Sequence, residues 1–182
     1  MLMSYEIEVE PAMPFKYSGS RKLSELDYID LRIITALQAN ARESYLRIGR
    51  ELGLTDAAVH YRVKKLLRGG VIKRFTIELD PESIGYPIRA TFGIEVDPSV
   101  IEEIASLLAR IPNFYLVWIV SGAHNIHVKA AFRDFEEMRE LIYGYLHKLK
   151  GVKSYHFSIL LKPVKEDYNF TNIICLEAEK KP

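Results

Sequence analysis

The stretch "GLTDAAVHYRVKKL", Gly53 to Leu66, decides how the rest of the chain is read. Gly53 is a residue that adopts positive φ cheaply and so ends one helix, and Thr55 caps the next. The helix that follows has two unlike sides. Val59, Val63 and Leu66 share one stripe at helical spacing, while Ala57, His60, Tyr61, Lys64 and Arg68 share the other. Small and polar tips followed by positive charge describe a surface prepared for contact.

Upstream, Ser44 caps a shorter helix that should turn Leu46, Ile48 and Leu52 toward the core, and small Gly49 lies where the two helices cross. Before that, Ile29, Ile33, Ile34 and Leu37 form one stripe of a first helix beginning at Asp27, with Asn40 near its end. Two short helices joined by a glycine turn, with a third behind them, are the plan of a helix-turn-helix unit, whose second helix enters the DNA major groove. The third helix should end at Gly69 and Gly70, after which "VIKRFTIEL" alternates enough to be a strand leading away.

Charge supports this reading. Arg42 to Arg74 holds nine Lys or Arg against Glu43, Glu51 and Asp56, a net of +6, so in a chain of net charge +1 the remainder carries about −5. A basic segment inside a near-neutral chain points to a local polyanion contact. Of 182 residues, 48% are apolar and 27% charged, which allows a buried core and excludes a chain dominated by disorder. The absence of a run of about 18 apolar residues and of a secretory signal pattern predicts a cytoplasmic protein. The single cysteine, Cys175, cannot form an intrachain disulfide.

From about Asp80 the rhythm changes. Ile88, Ala90, Phe92, Ile94 and Val96 alternate with polar or small residues as in a half-buried strand, and Pro98 to Arg110 reads as a helix. "YLVWIVS" and "IHVKAAF" are two strands around a tight turn near Gly122. Phe135 to Leu149 is a second helix ended by Gly151, and "VKSYHFSILL" closes the series. The order strand, helix, strand, strand, helix, strand is the ferredoxin-like arrangement. Both helices should cover one sheet face, yet "YLVWIVS" and "FSILL" are apolar on both sides, so the other face needs a cover, most simply the same sheet of a second copy. A further short strand is expected in "NIICL", and an edge strand from Tyr5 to Val9 in the amino-terminal arm.

Both halves, in this order, resemble the Lrp/AsnC, or feast/famine, family of prokaryotic transcription regulators. The resemblance spans roughly residues 24 to 176. It rests on "LDYIDLRIITALQANAR", on "IGRELGLTDAAVHYRVKKLLRGGVIKRFTIELDP", and on "VSG" at Val120 to Gly122. It implies an α+β chain: a three-helix winged-type helix-turn-helix followed by a ferredoxin-like α/β sandwich domain of the RAM type. The expected divisions are an arm over 1–22, the DNA-binding domain over 23–70, a linking strand over 71–80, and an effector-binding and oligomerisation domain over 81–182.

On this reading Thr55, Ala57, Ala58, His60 and Tyr61 face base edges, and Lys64, Lys65, Arg68, Arg47 and Arg42 lie toward phosphates. Arg62, beside Val63, is a structural helix residue in the family and is excluded from direct readout. The partners expected are double-stranded DNA and the chain itself, as a homodimer and, like its relatives, as a tetramer or octamer. The turn of Ser121, Gly122, Ala123, His124 and Asn125 corresponds to the place where family members bind amino acids. It departs from their usual Ser-Gly-Asp-x-Asp by placing Ala123 and Asn125 where carboxylates commonly stand, which predicts a weak or altered response to amino acids.

Neither a metal nor another cofactor is expected. His124 and His127, three residues apart on one strand, should point to opposite faces, and His147 and His156 show no ligand-like spacing with them. The chain reads as a non-enzyme. Sirohaem decarboxylase subunits share the two-domain plan, but the Arg and His that their turn generally carries before Asn are missing, with Gly122 at the histidine position. The other alternative is a ligand-sensing scaffold that has lost DNA, against which the basic helix tips argue.

Overall fold

In the computed structural model, residues 26–170 are described. The expected strands at Tyr5 to Val9 and in "NIICL" lie outside them. Two compact units separate, one built around 26–78 and the other around Leu79–Val164.

The first unit contains α1 (Tyr28–Ala39), α2 (Tyr45–Leu52) and α3 (Asp56–Arg68). Each begins on a side-chain cap that satisfies an otherwise orphaned helical N–H. Asp27 accepts from the Asp30 amide, Ser44 from Arg47 and Thr55 from Ala58. Ile33, Leu37, Ile48, Val59 and Val63 form the core, with Leu52 and Ile72 packed against it. Leu46, expected inside, is exposed. Two positions apart on α2, Leu46 and Ile48 point to nearly opposite sides, and only the Ile48 side meets the core.

The expected strand over residues 71–79 does not form. The amides of Val71 and Ile72 instead fold back on the Leu66 carbonyl, at 3.0 and 3.2 Å. Beyond them no ladder is made among the described residues, and Phe75, Ile77 and Leu79 are left exposed. The alternation is present, but no neighbouring strand offers hydrogen bonds to it.

The second unit runs β1 (Ile88–Val96), α4 (Ile101–Leu108), β2 (Phe114–Ile119), β3 (Ile126–Phe132), α5 (Phe135–Gly144) and β4 (Val152–Ile159). Pro98–Val100 forms a 3-10 turn before α4 and Leu146–Lys148 another after α5. The sheet order is β2-β3-β1-β4, antiparallel throughout, which is the expected ferredoxin-like topology. Ala90, Phe92, Ile94 and Val96 of β1 and Ile126, Val128, Ala130 and Phe132 of β3 face Ile104, Leu108, Met138, Ile142 and Leu146 in a single core.

The opposite sheet face is not apolar as expected. Residues paired directly across an antiparallel ladder share a face. Phe157 pairs with Phe92 and Ile159 with Ala90, so both stand on the helix side, half-exposed at the sheet edge. The open face is mixed: it carries Thr91, Gly93 and Glu95 on β1, His127 and Lys129 on β3, and Ser154 and His156 on β4, with apolar Leu116 and Trp118 on β2. The strands "YLVWIVS" and "FSILL" occupy the two edges, where the helices leave both sides partly uncovered.

Candidate nucleic-acid interface and effector turn

The reader is held by a close backbone approach between α2 and α3. Gly53 sits at φ 68°, ψ 31°, and the Leu54 amide returns to the Gly49 carbonyl at 2.8 Å. A Cβ on Gly49 would stand 2.7 Å from the Leu54 carbonyl oxygen, a backbone atom with no freedom to move aside. Glycine at 49 therefore sets how near the two helices come, and glycine at 53 lets the chain reverse.

With Val59, Val63 and Leu66 buried, α3 turns its other side outward. Ala57, His60, Tyr61, Lys64, Lys65 and Arg68 are all exposed, Tyr61 at 70%. Ala58 is half-buried and stands in a second rank behind Ala57. The Thr55 hydroxyl accepts from the Ala58 amide at 3.2 Å and keeps its own proton to donate outward. Thirteen residues make a rod of about 20 Å, and the major groove, about 12 Å wide, admits such a helix. Arg47 is exposed but lies 3.6 Å from Glu43 and 3.3 Å from Glu51, so on its own helix it is shared between two carboxylates. Arg42 is exposed just after α1, where its amide donates to Asn40.

Two features of this unit escaped the sequence reading. The ring of Tyr45 lies 5.9 Å from that of His60, tying the start of α2 to the outer side of α3. Arg62 reaches from α3 to both Asp27 and the buried Asp30 on α1. Burial draws the Asp27 carboxyl upward, but the Asp30 amide and Arg62 outweigh it and hold it below the ordinary carboxylate range. Hydrogen bonds to Asp27 and Asp30 push the Arg62 guanidinium further up. The spacing of Asp27 and Asp30, one helical turn apart, was the available signal.

In the second unit the turn between β2 and β3 presents Ser121, Gly122 and Ala123 to solvent, Gly122 at φ 132°. Asn125 is engaged differently. Its Nδ2 donates to the Val96 carbonyl at 2.8 Å, and its Oδ1 accepts from the Val96 amide at 2.9 Å. The side chain thus carries the β1–β3 pairing one step beyond Ile94 and Ile126, at the residue where the register of β1 with β4 shifts.

His124 folds back over the open sheet face. Its Nδ1 is buried and has no hydrogen-bond partner, an arrangement that costs about 1–3 kcal/mol if nothing meets it. Around it the histidines converge, against the expectation that His124 and His127 diverge. His124 precedes β3 rather than belonging to it, so the alternation of the strand does not set its direction. His156, which spacing alone did not connect, arrives through the β1–β4 register. Among the described residues no group of three or more His, Cys, Asp or Glu is arranged to hold a metal ion as it stands.

Residues 26–67 match the model of the AsnC-type helix-turn-helix domain, and residues 89–170 that of the Lrp/AsnC ligand binding domain. An uncharacterised helix-turn-helix-type transcriptional regulator of Pyrococcus furiosus is 36% identical over 143 residues, covering 79% of this chain and 97% of that protein. The regulator Ptr1 of Methanocaldococcus jannaschii is 30% identical over 141 residues, 78% of this chain and 95% of its own. Among solved structures, AsnC of E. coli matches at a TM-score of 0.74 with 21% identity, covering 79% of this chain and 97% of AsnC. The regulator NMB0573 of Neisseria meningitidis, solved as a complex with L-Met, matches at a TM-score of 0.74 with 21% identity over 81% of this chain and 99% of that one. At such identity these two structures attest the shared fold.

Proposed function

The chain belongs to the Lrp/AsnC family, and from that premise we propose that it is a DNA-binding transcription regulator. The observation that carries this reading is the outward side of α3, where exposed Ala57, His60 and Tyr61 are followed by Lys64, Lys65 and Arg68. Small residues at the start let the helix approach base edges, and the His60 and Tyr61 tips exchange hydrogen bonds there, with Thr55 donating its hydroxyl proton and Ala58 in support. Lys64, Lys65, Arg68 and Arg42 meet phosphates and fix register, as does Arg47 once it leaves Glu43 and Glu51.

The working form is a homodimer, with tetramers or octamers built from it. What supports self-association is apolar surface left over in the single chain: Phe75, Ile77 and Leu79 before the sheet, and Trp118, Ile119, Phe157 and Ile159 at its edges. A symmetric dimer presents two α3 helices to half-sites about one helical turn apart or a multiple of it, so its operators are pseudo-palindromic. The exposed turn at Ser121 to Ala123 is the place for a small amino-acid-like effector, and without carboxylates there its grip on an ammonium group is weak. The protein works in the cytoplasm and catalyses no reaction.

A gel-shift titration on random duplex at low salt, repeated over a salt series, tests the central point. Binding that weakens steeply as salt rises is expected, because each phosphate contact releases a counterion. Indifference to duplex at low salt would overturn the reading.

A further inference from the structure

The outward side of α3 carries one ring whose direction is settled from another helix. Tyr45, the first residue of α2 after the Ser44 cap, stands one helical turn before Gly49, so both share the side of α2 that faces α3. At Gly49 the backbones come so close that a Cβ would meet the Leu54 carbonyl oxygen. Along the same side the Tyr45 ring comes within 5.9 Å of the His60 ring, centroid to centroid, with 37° between their planes. That separation lies inside the range of interacting aromatic pairs. The two rings have unequal freedom. Tyr45 is half-buried and packs against the core of Ile33, Leu37, Ile48, Val59 and Val63, whereas His60 is exposed. The tyrosine is the fixed member of the pair and the histidine the one it restrains.

We infer that Tyr45 is a positioning residue for DNA readout: it holds the His60 imidazole in one orientation and so sets how strictly His60 selects its base pair. This rests on the reading of α3 as the DNA-reading helix and deepens it. A histidine on an exposed helix face keeps more than one staggered χ1, and its χ2 is broad, so an unrestrained ring offers either nitrogen in several directions. The nitrogens are not equivalent, because in neutral imidazole one donates and the other accepts. Base edges present donors and acceptors at fixed places in the major groove, so a ring held beforehand discriminates better than one that must be ordered on binding. Contact of ring against ring leaves both nitrogens for the groove. The two ties on α3 are separate in purpose: Arg62 fixes the helix as a body against α1, and Tyr45 fixes one side chain upon it.

Selection of bound duplexes from a random-sequence pool by the full chain, read by sequencing, tests the assignment. His60→Ala should lower the preference at its base pair by about fivefold or more, the low end of what a base contact discriminates. Tyr45→Leu keeps an apolar side chain on the core but removes the flat ring, and thermal unfolding checks that it folds. It should loosen the same base pair and no other, while the slope of log affinity against log salt stays that of the parent, because no phosphate contact is lost. Tyr45→Phe, with the ring kept and the hydroxyl gone, should select as the parent does. In a His60→Ala background Tyr45→Leu should change nothing further, since its effect passes through that ring. A folded Tyr45→Leu that selects as strictly as the parent, or loosens selection equally with His60 present or absent, would overturn the assignment. So would a Tyr45→Phe as loose as Tyr45→Leu, which would make the hydroxyl the contact. In the parent without DNA, nuclear Overhauser contacts between the two rings are expected, and their absence would overturn it without recourse to any variant. A parent indifferent to duplex at low salt would overturn the DNA reading as well, an outcome that the parent alone tells apart.

Discussion

The guanidinium of Arg62 lies 2.8 Å from the carboxylate of Asp30, which is only 2% exposed, and also 2.6 Å from Asp27 at the cap of α1. One side chain of the helix proposed to read DNA is thus bolted to the first helix of the unit. On α3 it points away from Lys64 and about a quarter turn round from Tyr61, and the contact sets the angle at which they are presented.

Removing this bolt leaves a buried carboxylate without its cation. Arg62→Ala should destabilise the helical unit by about 3 kcal/mol, the lower end of the range for breaking a buried pair because Arg62 remains partly in contact with water. Arg62→Lys recovers only part of the loss, since an ammonium cannot span both carboxylates as a planar fork does. Urea unfolding followed on the helical signal measures both, and an Arg62→Ala midpoint equal to that of the parent would contradict the role.

The same cluster gives an acid sensitivity whose sign follows from Asp27. Its folded-state carboxyl titrates below the ordinary range, so its contribution is complete above the unfolded value and is lost as pH falls through the depressed folded one. Half of the Asp27 side chain faces water, so the contribution stays within the range of a surface pair, at most about 1 kcal/mol. Asp27→Asn should flatten the loss of stability as pH falls through and below the ordinary carboxylate range, the two proteins converging only once pH lies under the depressed folded-state value. Melting temperatures across an acid series provide the check.

Lys64 distinguishes positioning from reading. As a phosphate contact it should contribute equally on every duplex, so Lys64→Ala lowers the slope of log affinity against log salt by about 0.9 per contact and leaves operator preference alone. An unchanged slope removes Lys64 from the phosphate set. His60→Ala, by contrast, should relax selection at particular base pairs with little change in slope.

What could be read from the chain beforehand followed local rules. Thr55, Ser44 and Gly53 declare their roles by residue type and position, and the alternation of Ala90 to Val96 declares a strand with one buried face. What could not be read depended on partners distant in sequence. The stretch at Phe75 to Leu79 alternates like a strand, yet a strand exists only when another edge pairs with it. The gathering of His124, His127 and His156 rests on the β1–β4 register and on the empty side of Gly93, neither of which sequence spacing encodes. Phe157 and Ile159 were legible as apolar, but the sheet face they join was set by the pairing with Phe92 and Ala90.

Asn125 offers the sharpest separation of architecture from ligand binding in the effector turn. Its amide both donates to and accepts from Val96, whose side chain is buried and whose backbone lies where the β1–β4 ladder slips. Asn125→Ala strands a donor and an acceptor together, and at about 1–3 kcal/mol for each buried group left unmet the loss should be plain in thermal unfolding. Asn125→Asp keeps the acceptor for the Val96 amide but sets a carboxylate oxygen against the Val96 carbonyl, so it too should destabilise. Since that carboxylate would be occupied with Val96 rather than facing the turn, Asn125→Asp should not strengthen amino-acid binding in calorimetry. Ala123→Asp, on the exposed part of the same turn, should do so by supplying a partner for the ammonium group. Stronger binding in Asn125→Asp with unaltered thermal stability would mean that the amide turns outward in solution and that its bracket on Val96 is dispensable.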